Sequence, residues 1–197
     1  FSRMVFGIAI YGCGVYMTIQ ANLGLGPWDA LNMGVSYAIG LSFGDAGAAE
    51  GLVILVADVL LGEKIGVGTL VNTVMIGKMV DVFNYFDLLP RRSGLLPGIA
   101  LLLAGQVIIC FGMYFYISTG LGGGPRDSLM FALNRKLKRV PIGLTRGLIE
   151  GAALLVGWML GAKVGIGTLI AVLGLGFIMQ GVFSLLRFDP KAIHHES

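Results

Sequence analysis

The chain has 197 residues, of which 56% are hydrophobic and only 13% charged, with a formal net charge of +3. Its mean hydropathy of +0.86 is more than a water-solvated globule of this length can hide in one core, which excludes a soluble domain and makes the bilayer the solvent. The alternation of apolar and polar positions that marks an outer-membrane barrel strand is missing, and Gly, Ala and Leu dominate as in packed membrane helices; the chain reads as all-α and polytopic.

Crossing about 30 Å of hydrocarbon takes about 20 residues at 1.5 Å each. The first run of that kind is 4–21. No small-residue cleavage site follows it, so it reads as a retained helix and not a signal peptide. Next comes LGLGPWDAL at 23–31. Its glycines permit a sharply turned backbone, Pro27 suits a first helical turn, and Asp29 falls in that turn. The helix that follows, 28–41, is short. At about 14 residues it covers only about 21 Å, so it either crosses at a thin point or dips in and returns. The run 46–62 carries Glu50 between Gly47 and Gly51, with Asp58 further along. A GEKIGVGTL segment at 62–70 holds Thr69 in a second glycine break and leads into 66–86, where Lys78 and Asp81 stand three apart and can pair on one face.

The second half repeats this order. LGGGPRDSL at 121–129 returns LGLGPWDAL ninety-eight positions later, GMY at 112–114 returns GVY at 14–16, GLIEG at 147–151 returns GAAEG at 47–51, and GAKVGIGTL at 161–169 returns GEKIGVGTL. The long runs are 98–118, 142–161 and 163–186, with a second short helix at 126–140. The expected architecture is a transmembrane helical bundle of two tandem four-helix repeats with Gly/Pro-broken helices, 1–90 and 91–197, integrated into one membrane domain.

Two topologies suit that plan. If the short helices cross, there are eight spans in parallel copies; if they re-enter, there are six and the copies are inverted. In the eight-span arrangement Arg3, Arg91, Arg92, the RKLKR run at 135–139, Arg187 and Lys191 share one side, with only Lys64 and Lys163 opposite. The tendency of Lys and Arg to stay cytoplasmic therefore favours eight crossings with both termini in the cytoplasm.

GLGPWDAL, its GGGPRDSL echo and the two G-[VI]-G-T-L breaks together resemble the YczE/YitT-type bacterial membrane proteins. The resemblance covers most of the chain. It implies a bacterial inner-membrane location and the duplicated helical plan.

The candidate solute-binding residues are those an apolar bundle would not otherwise hold. Asp29 and Asp127 stand at the Gly-Pro breaks, where freed N–H groups and the helix dipole can meet a ligand, or where an acid simply complements a helix N-terminus. Trp28 and Arg126 occupy equivalent positions in the two copies, so a site there is asymmetric: the arginine can hold an anion, the tryptophan can stack on a ring or anchor at the interface. Glu50 and Glu150 lie beside small-xxx-small faces, and an ionisable group in such a helix needs a partner, a wet cavity or the nearby interface. Asp58 ranks below them because its counterpart is Trp158. Thr69 and Thr168 offer hydroxyls to a solute or cap the helices they precede. Lys78 with Asp81 reads as a neutralised structural pair, and Tyr16 and Tyr114 as members of an aromatic belt.

No metal, cofactor or nucleic acid is expected. Cys13 and Cys110 read as packing thiols, and His194 and His195 lie in a polar tail. With no Ser-His-Asp, Cys-His or metal cluster visible, an enzyme is not expected. The basic run at 135–139 suits anionic lipid headgroups or a docking cytosolic partner, and the glycine richness suits helix packing within one chain or in a homodimer equally well. The leading expectation is a secondary transporter or permease for a small solute, with its pocket between the repeats; the alternative is a membrane scaffold, or a regulatory or permease subunit acting through a protein partner.

Overall fold

In the computed structural model every described element is an α-helix, and the description covers residues 2–63, 65–119, 124–137, 140 and 142–186. The long apolar runs give α1 (Ser2–Ala21), α3 (Phe43–Leu60), α4 (Val67–Tyr85), α5 (Leu95–Ile117), α7 (Ile142–Met159) and α8 (Ile166–Leu185); the short ones give α2 (Pro27–Ile39) and α6 (Pro125–Lys136). Proline occupies the first turn of both short helices, behind the N-cap glycines Gly26 and Gly124. There its missing N–H costs nothing and its fixed φ favours the helix. Helix α2 stops at Gly40, whose φ of 72° is the left-handed C-cap that glycine adopts without strain.

Helices α1, α5 and α8 are each long and apolar enough to cross a bilayer; α2 and α3 meet that test together, as a pair whose axis turns by 111° between them. The outer faces of the helices carry what a soluble protein would bury: Val53 and Leu60 on α3, Met159 on α7 and Phe177 on α8 are all exposed. Such a surface is stable only against hydrocarbon.

The centre of the bundle is the α1–α5 seam, and glycine makes it. A Cβ on Gly14 would sit 2.7 Å from the carbonyl oxygen of Gly105, and one on Gly112 would sit 2.8 Å from that of Gly7. Backbone therefore lies directly on backbone, the close approach that small residues permit in membrane helices. Around the seam a core forms from Val15, Tyr16, Ile19, Leu25, Met33, Phe43, Val80 and Ile109.

These contacts also fix the chain directions. Gly7 faces Gly112 while Gly98 faces Ala21, so α1 and α5 run antiparallel. The flanking-charge count favours parallel copies, in which α1 and α5 would point the same way; here these two helices point opposite ways. Helix α4 runs parallel to α1, Met4 and Ile8 packing with Val71 and Met75 while Tyr16 stacks on Phe83. Gly44 against Gly77 and Gly51 against Thr73 make α3 antiparallel to α4. Helix α8 follows α5, with Gly174 beside Gln106 and Val182 and Phe183 beside Cys110.

Tyr16 is not a belt residue. It is 1% exposed, and its hydroxyl donates to the Leu89 carbonyl at 3.2 Å and accepts from the Leu89 N–H at 3.0 Å, tying the 86–94 connection to α1. Tyr16→Phe would strand both backbone groups. The expected cost is about 1–3 kcal/mol, seen as a lower thermal midpoint in detergent; a midpoint equal to wild type would show that water replaces the hydroxyl. Tyr114, by contrast, lies at the other end of the bundle, where its hydroxyl accepts from Arg3 at 3.3 Å.

Candidate functional site

Helices α2, α3 and α6 bring four of the sequence-chosen residues together. Glu50, on α3, has its side chain 8% exposed, and its Oε2 accepts from Arg126 Nη2 at 3.1 Å. The guanidinium also lies 4.9 Å from the ring centroid of Trp28, within the range of an attractive cation–π contact. Asp29 and Tyr11 complete the surroundings, both close enough to feel the arginine's charge. The short helices place these groups through the same local device: Trp28 and Arg126 each directly follow the proline of a Gly-Pro break, so each opens its helix.

Asn32 is a member that the motifs do not announce. It is 4% exposed and lies between the ions. With its oxygen turned to Arg126, 3.2 Å from Nη2, and its amino group turned to Glu50, it satisfies both neighbours at once. The signal that finds it is spacing: Trp28, Asp29 and Asn32 share one face of α2 at i, i+1 and i+4. Gly47, the residue opposite on α3, leaves the room. The remaining oxygen of Glu50, Oε1, is buried without a hydrogen-bond partner. Two carboxylates thus share one guanidinium, and an acceptor is left over.

The other chosen residues lie elsewhere. Glu150 faces outward on α7, bonded to Arg146 at 2.8 Å one turn away, and Gly147 and Gly151 beside it have nothing within 4 Å of a Cβ position. Thr168 accepts from the Gly165 N–H at 3.3 Å, a capping role at the start of α8. Thr69 is 5% exposed in the first turn of α4 and its carbonyl accepts from Thr73. The side chain of Asp127 lies outside the described residues, as do Lys138 and Arg139 of the basic run and His194 and His195; Arg135 of that run engages Glu63. Lys78 pairs first with Asp45, at 2.6 Å, and only at 3.8 Å with Asp81. Asp81 instead bonds the Gly44 N–H and the Ser42 hydroxyl at the start of α3. Among the described residues no group of three or more His, Cys, Asp or Glu side chains is set to hold a metal.

A cleft opens beyond the cluster, at the end where α1 stops. Ile19, Asn22, Leu25, Met33, Tyr37, Arg91 and Lys163 line it. It shares α2 with the cluster but none of the cluster's charged residues.

A bundle whose described elements are all helices, with apolar outer faces and partly buried charges at two helix breaks, is a helical integral membrane protein. Within that class the chain belongs to a family of unknown function, DUF6198, whose profile matches residues 1–183. It is similar to the uncharacterised membrane protein YczE of Bacillus subtilis, 33% identical over 91% of this chain and 82% of the relative. It is also similar to YyaS of the same organism, 30% identical over 90% and 88%, and to an uncharacterised protein of Haemophilus influenzae, 25% identical over 96% and 85%. No solved structure matches.

Proposed function

We propose that the protein is a secondary transporter or permease of a bacterial inner membrane, moving a small polar solute that presents hydrogen-bond donors. The observation that carries this reading is the meeting of the two Gly-Pro breaks: Trp28 and Asp29 from one half, Arg126 from the other, joined by Glu50. Charged groups are expensive in the membrane interior and persist there where function needs them. Broken helices are tolerated at that depth where they line a cavity. Here a buried acceptor, Glu50 Oε1, waits without a donor, which suits an amine or amide on the solute.

In this reading the two halves are inverted copies, with α2 and α6 re-entering from opposite faces and their N-termini meeting near the middle. Such a repeat plan supports alternating access around a fixed site. Helix α3 packs on α4, whereas among the described residues the sequence-equivalent α7 and α8 make no comparable contact, an asymmetry that suits one half open while the other is closed. Arg3 and Arg135 belong to the end where α1 begins and α3 stops, Arg135 engaging Glu63 just beyond α3, and the positive-inside tendency makes that end cytoplasmic. The basic run would meet anionic headgroups there.

The experiment is solute-induced current in proteoliposomes across a panel of amines, amino acids and organic anions. A current in wild type, lost in Glu50→Gln and Arg126→Ala but kept in Glu150→Gln, is the expected result. A wild type silent across the panel, or equal to both site variants, sinks the reading. A second reading, a subunit working through another membrane protein, draws on the uncovered Gly147–Gly151 face of α7. Co-purification of a stoichiometric partner, lost in Gly151→Leu, would favour it.

A further inference from the structure

Asp58, eight residues beyond Glu50 on α3, has no role in the cluster and no structural partner. It is 1% exposed. Both of its carboxylate oxygens are buried without a hydrogen bond. An ionised carboxylate stripped of water and given neither cation nor donor costs many kcal/mol, whereas the neutral acid loses most of that penalty. A group in this position must carry something, and the smallest thing it can carry is a proton.

Its place along the bundle gives the proton a route. Glu50 pairs with Arg126 and Glu63 with Arg135, so α3 and α6 run parallel with one ion pair at the inner cluster and one at the helix end. Asp58 stands between them, about 12 Å along α3 from Glu50 at 1.5 Å per residue. From α4 it is level with the glycine break that opens that helix, judged from Gly51 against Thr73 and Gly44 against Gly77.

We propose that Asp58 is a proton-binding site, taking its proton from the end of the bundle that carries Glu63 and Arg135. Among the described residues, the charged groups on the elements packed against α3 are engaged elsewhere, except Lys136 at the end of α6, which is exposed. Lys78 and Asp81 of α4 are tied to Asp45 and to the start of α3. Arg126 and Arg135 of α6 hold glutamates, and Asp29 of α2 belongs to the cluster. Glu63 is the one described charge that reaches Asp58. The site stands apart from the transport reading: it concerns what Asp58 binds, whether or not a solute moves.

The test is modification of the purified protein in nanodiscs by a membrane-soluble carbodiimide, which reacts with neutral carboxyls in apolar surroundings, followed by peptide mass spectrometry. The expected result is an adduct at Asp58 at least about ten-fold over Glu50, falling as the medium is made alkaline and indifferent to exchange of sodium for potassium. Infrared spectra supply a readout that needs no reagent access: the C=O stretch of a neutral carboxylic acid should be present in wild type and missing in Asp58→Asn. Should that variant fail to fold, the pH dependence of the band in wild type carries the same information. Absence of the band, or protection of Asp58 by sodium alone, would overturn the proposal, the second by assigning the oxygens to a metal cation.

Discussion

Arg126→Ala should unfold at a much lower temperature than wild type in detergent, because it removes the cation from a glutamate that has almost no access to solvent. Glu50 keeps only 8% of its side-chain surface exposed and has one oxygen already unpaired. Removing one partner of such a pair costs about 3–5 kcal/mol, most of it the penalty of the charge left behind. Loss of the contact with Trp28 at 4.9 Å adds about 1 kcal/mol, between the values for exposed and desolvated cation–π pairs, since the arginine is partly exposed. The double variant Arg126→Ala/Glu50→Gln should recover a large part of the loss, since it removes the stranded charge as well. Arg126→Lys should fall between, keeping the charge without the planar fork that reaches Glu50 and Asn32 together. The control is the equivalent glutamate. Glu150 pairs with an arginine that is 53% exposed, and pairs of that kind contribute less than about 1 kcal/mol. If Arg126→Ala and Glu150→Gln shift the midpoint equally, the buried pair is not what organises the cluster.

This difference between two sequence-equivalent glutamates marks where reading the sequence reaches its end. Span lengths are visible in the apolar runs because hydrocarbon thickness sets them, and α1, α3, α4, α5, α7 and α8 fall where those runs lie. The Gly-Pro breaks are equally visible, because proline tolerates few positions in a helix and the first turn is one. Trp28, Asp29, Glu50 and Arg126 stand out as residues an apolar bundle does not otherwise keep. Chain direction is another matter. Hydropathy is blind to it, and the charge count turned on Arg91 and Arg92, which lie instead at the end where α1 stops, the Arg92 N–H bonded to the Gln20 carbonyl. Repeat symmetry then promised Glu150 to the site on the strength of Glu50. Partnership is decided by which neighbouring helix arrives, and α6 arrives at α3 with an arginine whereas α2 arrives at α7 with Ala30 and Gly34. Asn32 stays hidden in the sequence and Asp58 ranks low there for a related reason: one matters because it has two partners, the other because its carboxylate has none, and neither property is local.

The largest stability effect should come from the glycine seam, and the same residue type provides its own control elsewhere. A Cβ on Gly112 would lie 2.6 Å from the backbone nitrogen of Tyr11 and 2.8 Å from the carbonyl oxygen of Gly7. Both obstacles are backbone, so no rotamer change relieves them; α1 and α5 must separate along their length. Overpacking a core costs about 1–3 kcal/mol where side chains can give way, and more where they cannot. Gly112→Val is therefore expected to abolish monodisperse protein altogether, and Gly112→Ala to lower the midpoint sharply. Gly14→Ala, blocked by the carbonyl of Gly105 at 2.7 Å, should behave alike. Gly147→Ala and Gly151→Ala meet nothing within 4 Å, and alanine is the better helix former by about 1 kcal/mol, so both should leave stability unchanged or raise it. Fluorescence-detected size exclusion after a heating series separates the two sets in one measurement. The seam is refuted as the organising contact if Gly112→Ala and Gly14→Ala are as stable as Gly147→Ala and Gly151→Ala.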